Sequence, residues 1–482
     1  MAAGLWRRVI WALGLVLVWQ SQPATPQTSA IVFTHATVID GTGAAPMADM
    51  TVTIEQGQIA ALEPSAKAKV PASAHVIDAA GKYLIPGLWD MHVHWYDRRF
   101  LGLFLANGVT GIRVMWGMPL HLMWRKDIAA GTLDGPRMFI ASPIVDGPNP
   151  VWPGSTVVTG AADAKEAVDA IKRGGYDFVK VYNRIPRDAY FAIADEAARV
   201  GLTFAGHVPN LVTPAEASDA HQKSIEHLDG LLSGISSVEA EVRQRAAELS
   251  TGGEAGTGVT AESRAARREL SERILATTDP AKASQLFERF VHNGTWNCPT
   301  LTVLRAIASL DDPAFVSDPR LRYMPQSLRT QWRPDNDPRL KTKTPADYEV
   351  GRRALKKQFE MVGTMNRAGV KLVAGTDVLN PFVFPGFSLH DELALLVEAG
   401  LTPMQALQAA TSSAAAFMGR SDLGTVKRGN LGDVVLLNRN PLDDIRNTTS
   451  VAVVVANGRL YDRASLDRML ADAEKLAGEG AR

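Results

Sequence analysis

The chain has 482 residues, 46% apolar and 21% charged, which is enough to bury a large core and excludes an intrinsically disordered protein. Lysine plus arginine number 51, as do aspartate plus glutamate, so no bulk field recruits nucleic acid or an anionic membrane, and partners must be recognised by local sites. A single cysteine, Cys298, excludes an internal disulfide and a zinc site built from thiolates; outside any basic context it reads as a buried structural thiol.

At the start of the chain Arg7 and Arg8 precede an apolar run, Val9 to Trp19, followed by the polar stretch SQPATPQTSA. That order is the order of a secretory signal peptide, and the run is shorter than the roughly 20 residues a membrane span needs. Residues 1–24 are therefore expected to be a leader cleaved after Ala24 or Ala30, leaving a periplasmic or secreted protein with no membrane span in its mature form. An exported chain without disulfides rests on its core alone, which suits a bacterial periplasm better than a small extracellular scaffold.

Period-two alternation follows in IVFTHATVID, in MTVTIEQGQIAAL with a turn at Gln56-Gly57, and in AHVIDAAGKYLIPG, and these read as antiparallel strands. A second strand-rich block, GDVVLLN and VAVVVANGRLYD with a hairpin turn at Asn457-Gly458, lies near the other end. Residues 31–84 and 420–465 are expected to form one small β-sandwich domain built from both termini, with a C-terminal helix or tail over 466–482.

Between them, short apolar strands alternate with helical stretches: LIPGLWDMHVH, GVTGIRVM, GPRMFIAS, YDFVKVY, LTFAGHV, KSIEHL, TWNCPTLTV and VKLVAGTD. Eight such repeats predict an α/β fold over residues 85–419, a closed (β/α)8 TIM barrel. Two charged, helical stretches, 233–290 and 305–362, are longer than the barrel requires; they read as insertions that either cover its mouth or form plain surface helices.

Chemistry in such a barrel sits at the C-terminal strand ends. His92 and His94 lie two apart on strand one, so both rings share one face and could meet a single cation, a weak signal by itself. Strand four ends in Lys180, strand five in His207, strand six in His227 and strand eight in Asp377, each a polar group closing an apolar run. Burying any of them without a partner would cost several kcal/mol. Lys180 has two readings: an ion pair with a nearby aspartate, or a neutral amine that reacts with carbon dioxide to give a carbamate. Asp90 either orients an imidazole or closes its strand. His35, His75, His121, His221 and His292 read as surface or core residues, whereas His390, which opens the helix SLHDELALLVEAG, is expected near the site.

Trp95, Tyr96, Trp116, Trp152, Tyr182 and the loop LNPFVFPGF supply aromatics near the strand ends, which predicts a small-molecule substrate with an apolar or aromatic portion. His390, Tyr182, Trp95, Tyr96 and Arg98 are the expected substrate contacts. Arg98, Arg99 or Arg184 could grip a carboxylate, or be solvated charges.

Together PGLWDMHVH, GHVP, IEHLDG, AGTDV and the closing stretch LTPMQALQAATSSAAAFMG with LGTVKRGNLGDVVLLNRNPLDDI resemble the metal-dependent amidohydrolase superfamily, in its imidazolonepropionase and prolidase-like branch. The resemblance covers nearly all of the expected mature chain. It implies that His92 and His94 bind the more buried of two divalent metals, that His207 and His227 bind the second, that carbamylated Lys180 bridges them, and that Asp377 completes the first site. Zinc is the first choice for these donors, with manganese, iron and cobalt compatible. The implied activity is hydrolysis of an amide bond, in a dipeptide, an N-acyl amino acid or a cyclic amide, by a metal-bridging hydroxide, with Asp377 as base and then acid. Two alternatives stand beside it. The same hydroxide could open a lactone, carbamate or phosphotriester, or the scaffold could serve a non-catalytic binding protein, a role that would not require Lys180 and Asp377. The sequence leaves the oligomeric state open, a homo-oligomer included.

Overall fold

The computed structural model describes residues 29–251, 260–337 and 340–479, and the expected leader lies outside them. The alternating N-terminal segments form β1 (Ile31–Val38), β2 (Met47–Glu55), β3 (Gln58–Pro64), β4 (His75–Asp78) and β5 (Tyr83–Pro86). Gln56 and Gly57 both hold positive φ, 51° and 76°, the conformation a two-residue hairpin needs to join β2 to β3.

The barrel strands follow: β6 (Leu88–Val93), β7 (Val109–Val114), β8 (Arg137–Asp146), the short β9 (Thr156–Val157), β10 (Phe178–Val181), β11 (Thr203–Gly206), β12 (Ser224–Glu226) and β13 (Trp296–Cys298). The chain returns through β14 (Val434–Leu437), β15 (Val451–Ala456) and β16 (Arg459–Tyr461) to a last helix, Arg463–Glu479.

The two strand groups from the chain ends join through β14 and β5, paired antiparallel with Val435 opposite Ile85. The result is one mixed sheet in the order β16-β15-β14-β5-β1-β2-β3, with β4 beside β1 and an apolar cluster of its own that includes Phe33, Val52, Ile54, Leu84 and Leu436.

The barrel sheet runs β6-β7-β8-β10-β11-β12-β13, every pair parallel, and all residues of β6 and β7 are buried, as strands covered on both faces must be. The predicted eighth strand is not a continuous ladder. It closes the barrel through isolated parallel bridges, Leu372 with Asn297 and Val378 with Val93, and through Asp377 N–H donating to the His92 carbonyl at 2.8 Å. The irregularity has a local cause: Asp377 sits at φ 62°, and Gly375 packs so tightly that a Cβ there would lie 2.6 Å from Cys298 Sγ and 2.8 Å from His92 N.

Helices cover the barrel with apolar faces at helical spacing, as in Ala161–Arg173, which buries Ala164, Ala167, Val168 and Ile171. The stretch 233–290 holds helices Glu239–Thr251, Ala261–Ala276 and most of Pro280–Asn293; the stretch 305–362 begins inside Leu301–Ser309 and ends inside Pro345–Ala368. Among the described residues no helix is long and apolar enough to cross a membrane.

Candidate active site

The barrel brings His92, His94, Lys180, His207, His227 and Asp377 together at the C-terminal strand ends. His92, fully buried on β6, has Nε2 3.2 Å from His94 Nε2 and 3.3 Å from Asp377 Oδ1, and His94 Nε2 is 3.1 Å from the same oxygen. The His227 ring stands 4.4 Å from that of His92 and 4.9 Å from that of His207. Two of these residues, His227 at φ 59° and Asp377 at φ 62°, hold the left-handed backbone that non-glycine residues rarely adopt and that clusters at functional sites.

The hydrogen-bond network assigns the ring tautomers. His92 Nδ1–H donates to Glu226 Oε2 at 2.8 Å, and His207 Nδ1–H donates to Asn183 Oδ1 at 2.8 Å. The Thr300 hydroxyl gives its proton to the Pro299 carbonyl and so accepts from His227 Nδ1–H at 2.7 Å. Each Nε2 is left as a lone pair pointing inward. With His92 Nε2 unprotonated, its close approach to His94 Nε2 and to the Asp377 oxygen is favourable only where a proton on His94 or a cation lies between them. Ligands of a tetrahedral zinc ion with bonds of about 2.0–2.1 Å stand about 3.3 Å apart, which matches the spacing of His92, His94 and Asp377. His92, His227 and Asp377 also form a cluster able to hold a metal ion.

Burial explains the protonation states. It holds His92 and His207 well below the usual imidazole range and His227 at about 4, so all three are neutral at pH 7. Asp377 would be raised by burial, but His227, His94 and Lys180 outweigh that and keep it ionised. Lys180, 1% exposed, is brought down to about 8 by burial, and its Nζ makes no hydrogen bond among the described residues. The ion pair considered from the sequence is therefore not hydrogen-bonded here. An orphaned amine that burial makes easier to deprotonate, beside four imidazoles, fits a lysine that gains a carboxylate by carbamylation, and the donor set as a whole fits divalent cations.

Several supporting residues escaped the sequence reading. Arg113, fully buried on β7, pairs with Glu226 at 2.7 Å and donates to Ser224 Oγ at 3.0 Å, so the carboxylate that orients His92 is itself held. Each is an ionisable residue inside an apolar strand, and that pairing was the available signal. Asn380 Nδ2 donates to Asp377 Oδ2 at 2.7 Å. Asp90 orients no imidazole: it accepts from His92 N, from Thr376 N at 3.0 Å and from Thr376 Oγ1 at 2.7 Å, tying strand one to the eighth segment.

A cavity of about 330 Å³ opens over these groups, lined by Tyr96, Trp116, Ile144, Trp152, Tyr182, Val303, Leu304, Ile307, Gln331, Leu379 and Asn380 as well as His94, Lys180, His207, His227 and Asp377. Tyr182 stacks on His207 with ring centres 4.1 Å apart, and its hydroxyl accepts from Trp152 Nε1 at 2.8 Å. Ile307 and Gln331 come from the 305–362 stretch, whereas among the described residues no lining residue comes from 233–290.

Three expected substrate contacts lie elsewhere. Trp95 is core, its ring edge-on to Phe100 and its indole N–H on the Asp97 carbonyl. Arg98 is exposed, 3.8 Å from Asp127. His390 is buried at the start of helix Phe387–Glu398, with Nδ1 2.9 Å from Thr448 Oγ1. Trp95 and His390 turn into the core, whereas Arg98 turns to the surface. Phe382 and Phe384 also turn into the core, where they pack on Trp332.

A barrel with these groups at its strand ends is the framework of a hydrolase whose donors suit divalent metals. The chain belongs to the amidohydrolase family, whose model matches residues 83–461. Among solved structures, a bottromycin amidohydrolase is 27% identical with a TM-score of 0.74, covering 93% of this chain and 90% of that one. A Xaa-Pro dipeptidase with bound methionine, 19% identical at a TM-score of 0.64 over 90% of this chain and 100% of that one, shares the fold. Among curated proteins, ochratoxinase of Aspergillus niger is 35% identical over 101 residues, 20% of this chain and 20% of that protein. Adenine deaminase 2 of Agrobacterium fabrum is 36% identical over 117 residues, 23% of this chain and 18% of that protein, so the matches span about a fifth of these relatives.

Proposed function

We propose that this chain is an exported, binuclear metal-dependent hydrolase that cleaves an amide bond in a small molecule. The observation that carries the reading is the convergence of His92, His94 and Asp377 at 3.1–3.3 Å with the His92 tautomer set by Glu226. His92, His94 and Asp377 would hold one cation, His207 and His227 the second, and carbamylated Lys180 would bridge them. When bound, such cations, zinc first, supply hydroxide at neutral pH and polarise the scissile carbonyl.

The protein's own groups do the rest. Asp377, ionised and steadied by Asn380, accepts the proton of the attacking water and returns it to the leaving amine. The buried floor excludes bulk water, and the aromatic wall seats the remainder of the substrate. Export rests on the basic, apolar and polar order of residues 1–24.

Asp377→Asn should abolish turnover of amides by metal-replete enzyme while sparing most of the bound metal, read by elemental analysis; an unchanged rate refutes the role given to Asp377. Protein purified without added metal that retains full activity with less than one equivalent of metal would refute metal dependence. Labelling with 13C-bicarbonate should give a carbamate signal that Lys180→Ala removes.

A further inference from the structure

The cavity wall is uncharged above its floor. Among the described lining residues Lys180 is the lone lysine or arginine and Asp377 the lone acid, and both sit among the imidazoles. The arginines considered from the sequence, and Arg305, are engaged elsewhere among the described residues. Arg98 lies near Asp127, and Arg99 is exposed and chelates Asp97. Arg184 lines a separate cavity and donates to the Asn149 carbonyl. Arg305, on the same helix as Val303 and Leu304, faces another cleft and pairs with Asp391 at 3.5 Å.

What the wall does offer is aromatic and apolar. Tyr96, Trp116 and Trp152, from the loops after β6, β7 and β8, form a continuous aromatic run with ring centres 6.3 and 6.2 Å apart. Strand seven of an eight-stranded barrel stands across from strand three, and the helix that follows it supplies Val303, Leu304 and Ile307. The polar wall groups are neutral: Gln331, Asn380 and the Tyr96 hydroxyl, which is buried without a partner among the described residues.

We propose that the site selects an uncharged amide bearing an aromatic ring, seated between the Tyr96, Trp116 and Trp152 run and the Leu304 and Ile307 face, and that it disfavours a free carboxylate flanking the scissile bond. Burying such a carboxylate against this wall would leave an unpaired charge, whereas a neutral group can take the Tyr96 hydroxyl. The inference rests on the hydrolytic reading above and separates this site from one built for dipeptides with a free C-terminus.

Three probes decide it: hippuramide, hippurate and N-acetylglycinamide, assayed with the metal-replete full chain. The expected result is a kcat/KM for hippuramide about tenfold or more above each of the others, with Trp116→Ala narrowing the ratio of hippuramide to N-acetylglycinamide. Turnover of hippurate equal to or faster than that of hippuramide overturns the inference while leaving the hydrolytic reading intact. Binding of the same probes to the Asp377→Asn protein, followed by quenching of tryptophan emission, separates the two the other way. Tighter binding of hippuramide than of hippurate, with no amide cleaved by the unaltered enzyme, supports the pocket and overturns the activity. Absence of discrimination in both assays overturns the inference.

Discussion

Glu226 performs two tasks with one carboxylate: it fixes the His92 tautomer and balances the fully buried Arg113 guanidinium. Glu226→Gln keeps the shape but leaves Arg113 without a counter-charge, an imbalance worth about 3–5 kcal/mol in buried pairs. It also weakens the hold on His92, and losses of such supporting bonds cost about 10–100-fold in metal affinity. Urea denaturation should therefore show a large drop in stability, and a zinc titration against a competing chelator a weaker site; unchanged affinity would show that His92 needs no such support. The six candidate donors were legible because each breaks an apolar strand where a buried polar group must be justified. Glu226 and Arg113 break strands in the same way, but their justification is each other, and strand pairing rather than spacing along the chain brings them together. His390 was misread for the opposite reason: its position after strand eight suggested the mouth, while its helix turns the ring inward to Thr448.

At the scale of elements, the short helix Pro214–Asp219 shows how the loop after β11 is anchored. Thr213 Oγ1 accepts from Glu216 N at 3.0 Å, Glu216 Oε2 accepts from Thr213 N at 2.8 Å, and Arg187 clamps the same carboxylate from the neighbouring helix Arg187–Val200. The Arg187 hydrogen bonds outweigh partial burial and bring Glu216 from 4.5 to about 2. Between those values the unfolded chain binds more protons than the folded one, so this contribution is complete above pH 4.5 and is lost as pH falls toward 2. The urea midpoint of the unaltered protein should fall more steeply from pH 5 to pH 3 than that of Glu216→Gln; parallel curves would remove Glu216 from the acid response. Element identities read well from periodicity, and the departures have local causes. The eighth strand is broken by the close approach at Gly375 and the left-handed Asp377, and the aromatic loop after it spends Phe382 and Phe384 on the core rather than the pocket. The aliphatic wall from Leu301–Ser309 was not legible, because Val303, Leu304 and Ile307 look in sequence like any buried helix face.

At the scale of the whole molecule, the question is whether the terminal sheet and the barrel are separable. Strand alternation argues that they are not: β14 turns Val434 and Leu436 into the sheet's own cluster and Val435 and Leu437 into the barrel's core. Polar stitching follows the same seam. Asp433 accepts from Arg137 of β8 at 3.2 Å and from Asn457 N at 2.9 Å, and the Tyr461 hydroxyl donates to Asp134 at 2.7 Å. All seven tryptophans of the described residues fall between positions 89 and 332, in the barrel half, so in protein lacking residues 1–24 tryptophan emission reports the barrel. Asp433→Ala strands a partly buried guanidinium edge and a backbone N–H, a loss of about 1 kcal/mol. If sheet and barrel form one cooperative unit, the emission-monitored urea midpoint shifts down with the far-ultraviolet midpoint and the two remain coincident. A far-ultraviolet transition that separates from an unmoved emission transition would show two independent units, and would mean that the terminal sheet braces the barrel without sharing its stability.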